Sequence, residues 1–445
     1  MIEVCTVSGY NEVGKNMTAI KVDNEVIILD MGIHLDNYIK YTEDEDIRDI
    51  SKPELIKVGA IPDDSVIEDW HKNVSAIIPT HGHLDHVGAV AFMCNSYKSP
   101  IICTPYTAEI ISTIAKDDNI TIKNPLKVIN SNSKYKLSDK ITIEFIHITH
   151  SIPQTVLVAI HTKQGIVIYA NDFKLDNHPV IGKKPDYEGI EELGKKGVLL
   201  LIAESLRASE TKKTPSELIA REMLADVIDD CSNNKGIIVT TFSSHLARLK
   251  SIIEFGNKIK RKVVFLGRSL AKYVYAGEKA GIIKFSDNID IVKYAKQLKR
   301  RLKEIDKDGR EKYLLVVTGH QGEPKSTLSK ILNNEIQFAL NNEDCVIFSC
   351  NVIPSEININ NRKLMEEKLK SRRVRIFKDV HVSGHASKED LRDFISMIKP
   401  KHIIPSHGDP SITIGLVELA KEMGYTLGKD VHLMRNGERL LVTEN

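Results

Sequence analysis

His81-Gly82-His83-Leu84-Asp85-His86 packs four potential metal ligands into six residues, directly after the apolar run Val74 to Ile78. That run reads as a buried strand ending at Pro79 and Thr80, and the apolar positions Val87, Val90, Ala91 and Met93 have the spacing of a helix. The cluster therefore occupies the turn from a strand into a helix, a rigid place for ligands. Asp85 and His86 fall near the helix N-terminus, where the dipole favours a carboxylate. Imidazoles and a carboxylate with no cysteine beside them suit Zn²⁺ or Mn²⁺, and two such ions held close can clamp both oxygens of a phosphoryl transfer. A histidine-rich surface loop is the plain alternative, and the density of the cluster speaks against it.

A two-metal site needs further ligands on strand ends facing the same edge, and the chain offers three. His150 follows the alternating run Ile141 to Ile148, Asp172 follows Gly165 to Ala170, and His407 follows the short run His402 to Ile404. Each alone is weak, but together with the cluster they form a set. One ligand of such a site has to bridge, and a carboxylate suits that role because it has two oxygens to share between cations and an imidazole offers one nitrogen. His147 competes with His150 and reads better as a strand residue beside the site.

The 445 residues suffice for two or three domains. A hydrophobic fraction of 42% and a charged fraction of 27% describe an ordinary globular chain, and a net charge of +2 makes no global claim on a polyanion. Affinity for nucleic acid would have to come from local patches such as Lys293 to Lys303 or Lys368 to Arg375. Six scattered cysteines without a C-x-x-C pair exclude a zinc ribbon and a disulfide framework and point to a reducing compartment. The start, Met1-Ile2-Glu3-Val4-Cys5-Thr6-Val7, reads as a strand and not as a signal peptide, and no apolar run has membrane-spanning length. A cytoplasmic protein without a membrane partner is expected.

Up to about residue 200 short apolar runs alternate with loops, which implies packed sheets. From about residue 214 helix and strand patterns alternate: Thr214 to Cys231, Gly236 to Thr241, His245 to Asn257, Lys262 to Leu266 and Tyr313 to Thr318. This is the texture of a parallel sheet with crossover helices. Ser243-Ser244 reads locally as a helix N-cap before His245. The acidic stretch Lys40 to Asp69 reads as a loop with short helices.

In this order the residues resemble the β-CASP nucleases of the metallo-β-lactamase superfamily, and among them the ribonuclease J family in its archaeal form. The likeness begins at Glu12-Val13-Gly14-Lys15-Asn16-Met17 and Leu29-Asp30-Met31-Gly32. It runs through the cluster, Thr149-His150-Ser151-Ile152-Pro153 and Asp172-Phe173-Lys174-Leu175-Asp176. It continues through Glu204, Thr241-Phe242-Ser243-Ser244, Gly267-Arg268-Ser269 and Thr318-Gly319-His320-Gln321-Gly322-Glu323-Pro324. It closes with His381-Val382-Ser383-Gly384-His385-Ala386-Ser387 and Pro405-Ser406-His407-Gly408.

The resemblance implies an α/β chain: a metallo-β-lactamase αββα sandwich built from residues 1–207 and 366–445, with an α/β β-CASP domain inserted at 208–365. It implies two Zn²⁺ ions per subunit, with Mn²⁺ as the alternative. One would be held by His81, His83, His150 and Asp172, the other by Asp85, His86, Asp172 and His407, with Asp30 orienting the histidine loop. A hydroxide held between the ions would attack the phosphodiester, Asp85 orienting it or taking its proton, and His385, paired with Glu204, would protonate the leaving oxygen.

Ser243, Ser244, Arg268, Ser383, Gly384 and Ser387 are the implied substrate contacts, the serines and glycine forming a nest for a 5′-monophosphate. The expected activity is therefore 5′ to 3′ exonucleolysis of 5′-monophosphorylated single-stranded RNA. Its alternatives are an endoribonuclease of the mRNA 3′-end cleavage type or dual activity. Hydrolysis of a lactam or thioester would not need the insertion, and a non-catalytic scaffold would have broken ligands. The chain departs from the pattern at His320 and Cys350, where serine is common, and ends at Asn445 without the C-terminal domain of bacterial members. The resemblance allows a homodimer formed by other means.

Overall fold

The computed structural model describes residues 1–42, 50–231 and 235–443. Contacts divide the chain into two compact units, one comprising 1–176, 183–214 and 384–445, the other 177–182 and 215–383.

The first unit holds two sheets. One runs in the order 438–442, 2–8, 17–22, 25–29, 74–78, 101–103, 126–128; the other in the order 402–406, 198–204, 165–170, 156–162, 142–147, 133–136. The period of two in their sequences explains how they pack. On strand Gly165–Ala170, Val167 and Tyr169 face one core together with Ile27, Ala76 and Phe145 of both sheets. Ile166, Ile168 and Ala170 face the other core, under the helices Tyr187–Lys196, Lys388–Ile398 and Pro410–Glu422. The same split divides Val156 to Ile160 of strand Val156–Thr162, so these runs are apolar on consecutive and not merely on alternate residues. Burial on both faces, at about 1.5–3 kcal/mol for each large aliphatic side chain, fixes their register. With helix Pro105–Asp117 burying Ile110, Ile111 and Ile114 beside the first sheet, the layers form the expected αββα sandwich.

This topology positions the site. Strands 165–170, 198–204 and 402–406 are parallel neighbours, with Ala170 opposite Ala203 and Ala203 opposite Pro405. Their C-terminal ends thus set Asp172, Glu204 and His407 side by side on one edge. In the other sheet Glu25–Leu29 and Val74–Ile78 are parallel with Leu29 opposite Ile78, which places Asp30 beside the turn that leads into residues 81–86.

The helix expected after the cluster is two single turns, Leu84–Val87 and Val90–Met93. Gly88 lies at the break: a Cβ there would stand 2.5 Å from the Leu84 carbonyl oxygen and 3.0 Å from Ile33. Of the acidic stretch 40–69, residues 43–49 lie outside the described residues. The remainder forms the ends of helix Leu35–Thr42, helix Lys52–Lys57 and part of a 3₁₀ stretch, Asp64–Asn73.

The second unit is a six-stranded sheet in the order 290–292, 262–266, 313–317, 237–240, 345–348, 375–377, with every pair parallel. Strand Arg375–Phe377 adds to the edge of this sheet. The compact unit therefore includes all of Pro215 to Ser383. The helix expected from Thr214 starts later, at Glu217, with Ser216 capping it through the Leu218 N–H. Among the described residues no helix is long and apolar enough to cross a membrane.

Candidate metal centre

Seven residues of the first unit converge in two groups that share Asp172: His81, His83, His150 and Asp172, and Asp85, His86, Asp172 and His407. Within each group the potential ligand atoms lie within 4.8 Å of one another. In the first, His83 Nδ1 is 3.2 Å from His81 Nε2 and 3.1 Å from His150 Nε2, and Asp172 Oδ2 is 3.6 Å and 3.7 Å from the same two Nε2 atoms. In the second, Asp85 Oδ2 stands 3.5 Å from His86 Nε2 and 3.4 Å from His407 Nε2, and Asp172 Oδ2 is 3.1 Å from His86 Nε2. These are the sets the sequence brought forward. His147, the rival, instead donates from Nε2 to the Lys183 carbonyl at 2.9 Å and lies outside both groups.

Surrounding residues hold each ring in place. Asp30, fully buried, accepts from the Thr80 N–H at 2.7 Å and from the Thr80 hydroxyl, and its Oδ2 lies 2.8 Å from His86 Nδ1, which leaves His86 Nε2 facing the centre. His150 Nδ1 donates to the Gly384 carbonyl at 2.7 Å, so its Nε2 likewise points inward. Fixing the outer nitrogen of a ligating histidine in this way sets its tautomer and orientation. Gly32 explains why the Leu29-Asp30-Met31-Gly32 segment ends in glycine: a Cβ there would meet the Asp85 carbonyl oxygen at 1.6 Å. Asn16 places its Nδ2 within hydrogen-bond reach of the Asp85 carbonyl (3.1 Å) and His86 Nε2 (3.2 Å). Asn171 joins the same layer, donating to Tyr169 Oη and accepting from Ser406 Oγ. Sequence reading assigned no role to Asn16 or Asn171. The one available signal was their position beside motif residues.

The electrostatics fit divalent cations. Burial alone would raise the Asp85 and Asp172 carboxyls, but the imidazoles of His86 and His407 around them hold both below the usual carboxylate range. Burial and neighbouring imidazoles keep His81 and His150 well below the ordinary histidine value, and burial takes His83 down to about 4. Neutral imidazoles and ionised carboxylates are the protonation states that metal ligation requires. His86 is the exception. Burial lowers it, but Asp172, Asp85 and Asp30 raise it well above the ordinary value, so it holds a proton where a cation would stand. Asp172 Oδ1 is buried with no hydrogen bond of full geometry, and His407 Nδ1 stands 2.7 Å from it. A buried carboxylate oxygen left open among imidazoles fits a cation, and the absence of thiolate from the set suits Zn²⁺ or Mn²⁺.

Beside the centre, His385 Nδ1 lies 2.7 Å from Glu204 Oε2 and 3.9 Å from Asp172 Oδ1. Glu204 is itself fixed, its Oε1 accepting from the Phe173 N–H at 2.7 Å. Burial would lower His385, but the Glu204 and Asp172 carboxylates raise it to about 9, so it stands protonated at neutral pH.

The implied substrate contacts fall in both units. Ser243 and Ser244 follow strand Ile237–Thr240, with Ser243 Oγ 2.9 Å from Ser269 Oγ. Neither is the helix N-cap expected from the sequence: that position belongs to His245, whose Nδ1 accepts from the Arg248 N–H, and the helix runs Leu246–Lys258. Arg268 opens helix Arg268–Lys279, after Gly267. Ser383 ends the second unit and Gly384 resumes the first. Ser387 forms a capping box with Asp390, and its hydroxyl meets Thr214 Oγ1 at 2.9 Å. His320 packs against Phe242 with ring centroids 4.4 Å apart, and Cys350 is buried with its Sγ 3.7 Å from the His320 carbonyl.

Three family models match the chain: the metallo-beta-lactamase superfamily over residues 10–184, the ribonuclease J beta-CASP domain over 234–365, and the Zn-dependent metallo-hydrolase RNA specificity domain over 371–434. The ribonuclease J of Methanocaldococcus jannaschii is 47% identical, with 99% of this chain and 98% of that protein covered. That of Pyrococcus abyssi is 45% identical over 98% and 96%. Ribonuclease J 1 of Streptococcus pyogenes is 30% identical, and this chain covers 75% of it. Among solved structures, a protein of unknown function from Enterococcus faecalis shares the fold, with a TM-score of 0.62 at 17% identity and 99% of each chain covered.

Proposed function

The chain belongs to the ribonuclease J family of the metallo-β-lactamase superfamily and is a metal-dependent ribonuclease; from that premise we propose that it degrades 5′-monophosphorylated single-stranded RNA from the 5′ end, using two Zn²⁺ ions, with Mn²⁺ as the alternative. The observation that carries the two-ion reading is the shared Asp172, one carboxylate serving two four-residue groups. Two such cations supply water of lowered pKa and neutralise charge that gathers on the phosphate oxygens.

The remaining work falls to side chains. Asp85, partly exposed at the rim of the second group, orients the attacking water and takes up its proton. His385 donates its Nε2 proton to the leaving 3′ oxygen, and the Glu204 carboxylate fixes the ring and keeps it charged until then. Asp30 and the Gly384 carbonyl hold His86 and His150 through the reaction by their outer nitrogens.

We assign the terminal phosphate to Ser243, Ser244, Arg268, Ser383, Gly384 and Ser387. Hydroxyls, a guanidinium and main-chain N–H groups are the donors a phosphate needs. Recognition of the terminal phosphate is what makes the proposed cleavage exonucleolytic. Six free, buried cysteines support a reducing, cytoplasmic setting for the enzyme.

End-labelled RNA carrying a 5′-monophosphate or a 5′-triphosphate, incubated with and without chelator, tests the reading. The expected result is 5′ mononucleotides, faster release from the monophosphate, and no release in chelator. Discrete internal fragments at equal rates from both RNAs would replace it with an endonuclease of the 3′-end cleavage type, and both product classes together would indicate dual activity.

A further inference from the structure

The two basic stretches of the sequence separate in the structure. In the one at 368–375 three of the five cations hold the second unit together: Lys368 Nζ donates to Asn333 Oδ1 at 2.7 Å, Arg372 to the Leu332 carbonyl at 2.6 Å, and Arg375 to the Asp230 carbonyl at 3.5 Å, while Lys370 and Arg373 are exposed. The other forms helix Ala295–Asp308, which buries Leu298, Leu302 and Ile305. With 3.6 residues per turn, Lys296, Arg300, Lys303 and Lys307 fall on the opposite face, and all four are exposed. Lys296, Lys303 and Lys307 have no ion-pair partner among the described residues, and Arg300 meets only the exposed Glu304, at 3.5 Å.

Such a stripe works against its own helix. Lys296 and Arg300, and Lys303 and Lys307, are like charges four residues apart, an arrangement that destabilises. No acidic residue occupies the first turn, and Lys293 and Lys296 flank the helix end whose dipole disfavours cations. The N-cap residue is Tyr294, which makes no capping hydrogen bond and is 57% exposed, with the Lys293 ammonium 5.5 Å from its ring centroid. A row of four exposed cations, with Glu304 beside Arg300 as its one acidic partner among the described residues, ends in an exposed aromatic ring; this is the composition of a surface for single strands, in which cations follow the backbone and the ring stacks a base.

We propose that Tyr294 and the outward face of helix Ala295–Asp308 bind the sugar–phosphate backbone of single-stranded RNA, forming a substrate-holding surface in the second unit additional to the metal-ligating residues of the first. The proposal rests on the ribonuclease reading for its choice of polyanion. It requires that long substrates engage the enzyme more tightly than short ones, and through electrostatics that salt weakens.

The test uses the full chain in chelator, so that binding is read without cleavage. Anisotropy titrations compare labelled RNAs of about 16 and about 4 nucleotides, the span of single-strand site sizes. Replacing Lys296, Arg300, Lys303 and Lys307 together by alanine is expected to reduce the salt slope of log K for the longer RNA by about 0.7 for each phosphate no longer neutralised, or roughly 2 to 3 in all. Tyr294→Ala is expected to weaken the longer RNA about tenfold, the order of one stacked base, with little change of slope. Cleavage of the short RNA in metal, and the melting temperature, should stay close to wild-type levels, since the quadruple variant removes like-charge repulsion together with one exposed ion pair, Arg300 with Glu304. An unchanged slope, equal losses on both RNAs, or the same slope change with an acidic polypeptide and none with RNA would overturn the proposal. Wild-type protein that binds the longer RNA with this salt dependence but cleaves neither RNA would count against the ribonuclease reading and leave the binding surface standing.

Discussion

Asp172 carries three loads in one side chain. It belongs to both ligand groups, it is buried, and its backbone is left-handed with φ 57°. Asp30 and His407 share that conformation, each with φ 59°. At about 1–2 kcal/mol for a non-glycine residue, such backbone strain persists only where surrounding contacts impose it. For His407 the contact is its N–H, which donates to the Gly9 carbonyl at 2.9 Å. The division of labour gives a test by metal content. His150→Ala removes a ligand of the first group alone and should leave one equivalent of zinc, and His407→Ala should do the same through the second. Asp172→Ala should leave neither. Elemental analysis after dialysis reads this directly, and all three variants should lose cleavage by at least about a hundredfold while keeping wild-type circular dichroism. Two retained equivalents in Asp172→Ala would remove the bridge. The seven candidate ligands were legible in the sequence because histidines and carboxylates so dense, in loops that follow apolar strands, have few other uses. Asn16 and the Gly384 carbonyl were not, since their partners Asp85, His86 and His150 lie far along the chain and a main-chain carbonyl has no sequence signature.

The elements repeat this contrast. Glu25–Leu29, Val74–Ile78, Gly165–Ala170 and Lys262–Leu266 fall where their apolar runs placed them, because burial of both faces leaves a strand no freedom of register. The elements misjudged are those decided by tertiary contacts. Ser243-Ser244 gives up the N-cap to His245, and Arg375–Phe377, which falls inside the short strand read over Val374 to Val380, joins the second sheet by pairing with Cys345–Phe348, a partner that the pattern does not name. Arg248 shows what the sequence hides at this scale. Fully buried, it pairs with Glu217 through Nε and Nη2 at 2.7 and 2.9 Å, and Nη1 donates to the Ser349 carbonyl and hydroxyl, both at 2.8 Å, and to the Val380 carbonyl at 3.1 Å. One guanidinium thus joins helix Glu217–Asp230, helix Leu246–Lys258 and two chain segments beyond the sheet. Arg248→Met leaves the buried Glu217 carboxylate with His245 Nε2, 3.4 Å away, and without its guanidinium, and should cost about 3 kcal/mol in denaturant unfolding. The double variant Arg248→Met, Glu217→Leu should recover much of that loss. A double variant no more stable than the single would show that the guanidinium acts through its carbonyl contacts and not through the ion pair.

At the scale of the whole molecule, the chain leaves the first unit at Thr214 and re-enters it at Gly384, and the first unit ties these two points together by itself. Thr214 Oγ1 donates to the His385 carbonyl at 2.6 Å, the Ser387 N–H donates to Thr214 Oγ1 at 3.0 Å, and Arg207 and Ser387 form a parallel bridge. The described apolar clusters keep to one unit each: two draw only on the first, the third only on the second. All seven ligands, with His385 and Glu204, belong to the first. The sequence showed the change of texture near 214 but gave no sign that exit and return meet, because Thr214 and His385 are joined by hydrogen bonds and not by pattern. Excision of 215–383, with a short Gly/Ser linker from Thr214 to Gly384 and the loop 177–182 left in place, should therefore yield a folded protein. Closing a short loop between ends already in contact costs little entropy. The excised protein should bind zinc with the stoichiometry of the full chain, read by elemental analysis, and melt cooperatively. Its melting temperature should rise with free zinc, by the linkage that adds about 2.7 kcal/mol at a hundredfold excess over Kd. It should have lost the distinction between 5′-monophosphorylated and 5′-triphosphorylated RNA, because Ser243, Ser244, Arg268 and Ser383 are gone. An excised protein that fails to melt cooperatively, or that binds no zinc, would show that the first unit depends on the second for its fold. One that still prefers the monophosphate would move the phosphate site to residues of the first unit alone, Gly384 and Ser387 among them.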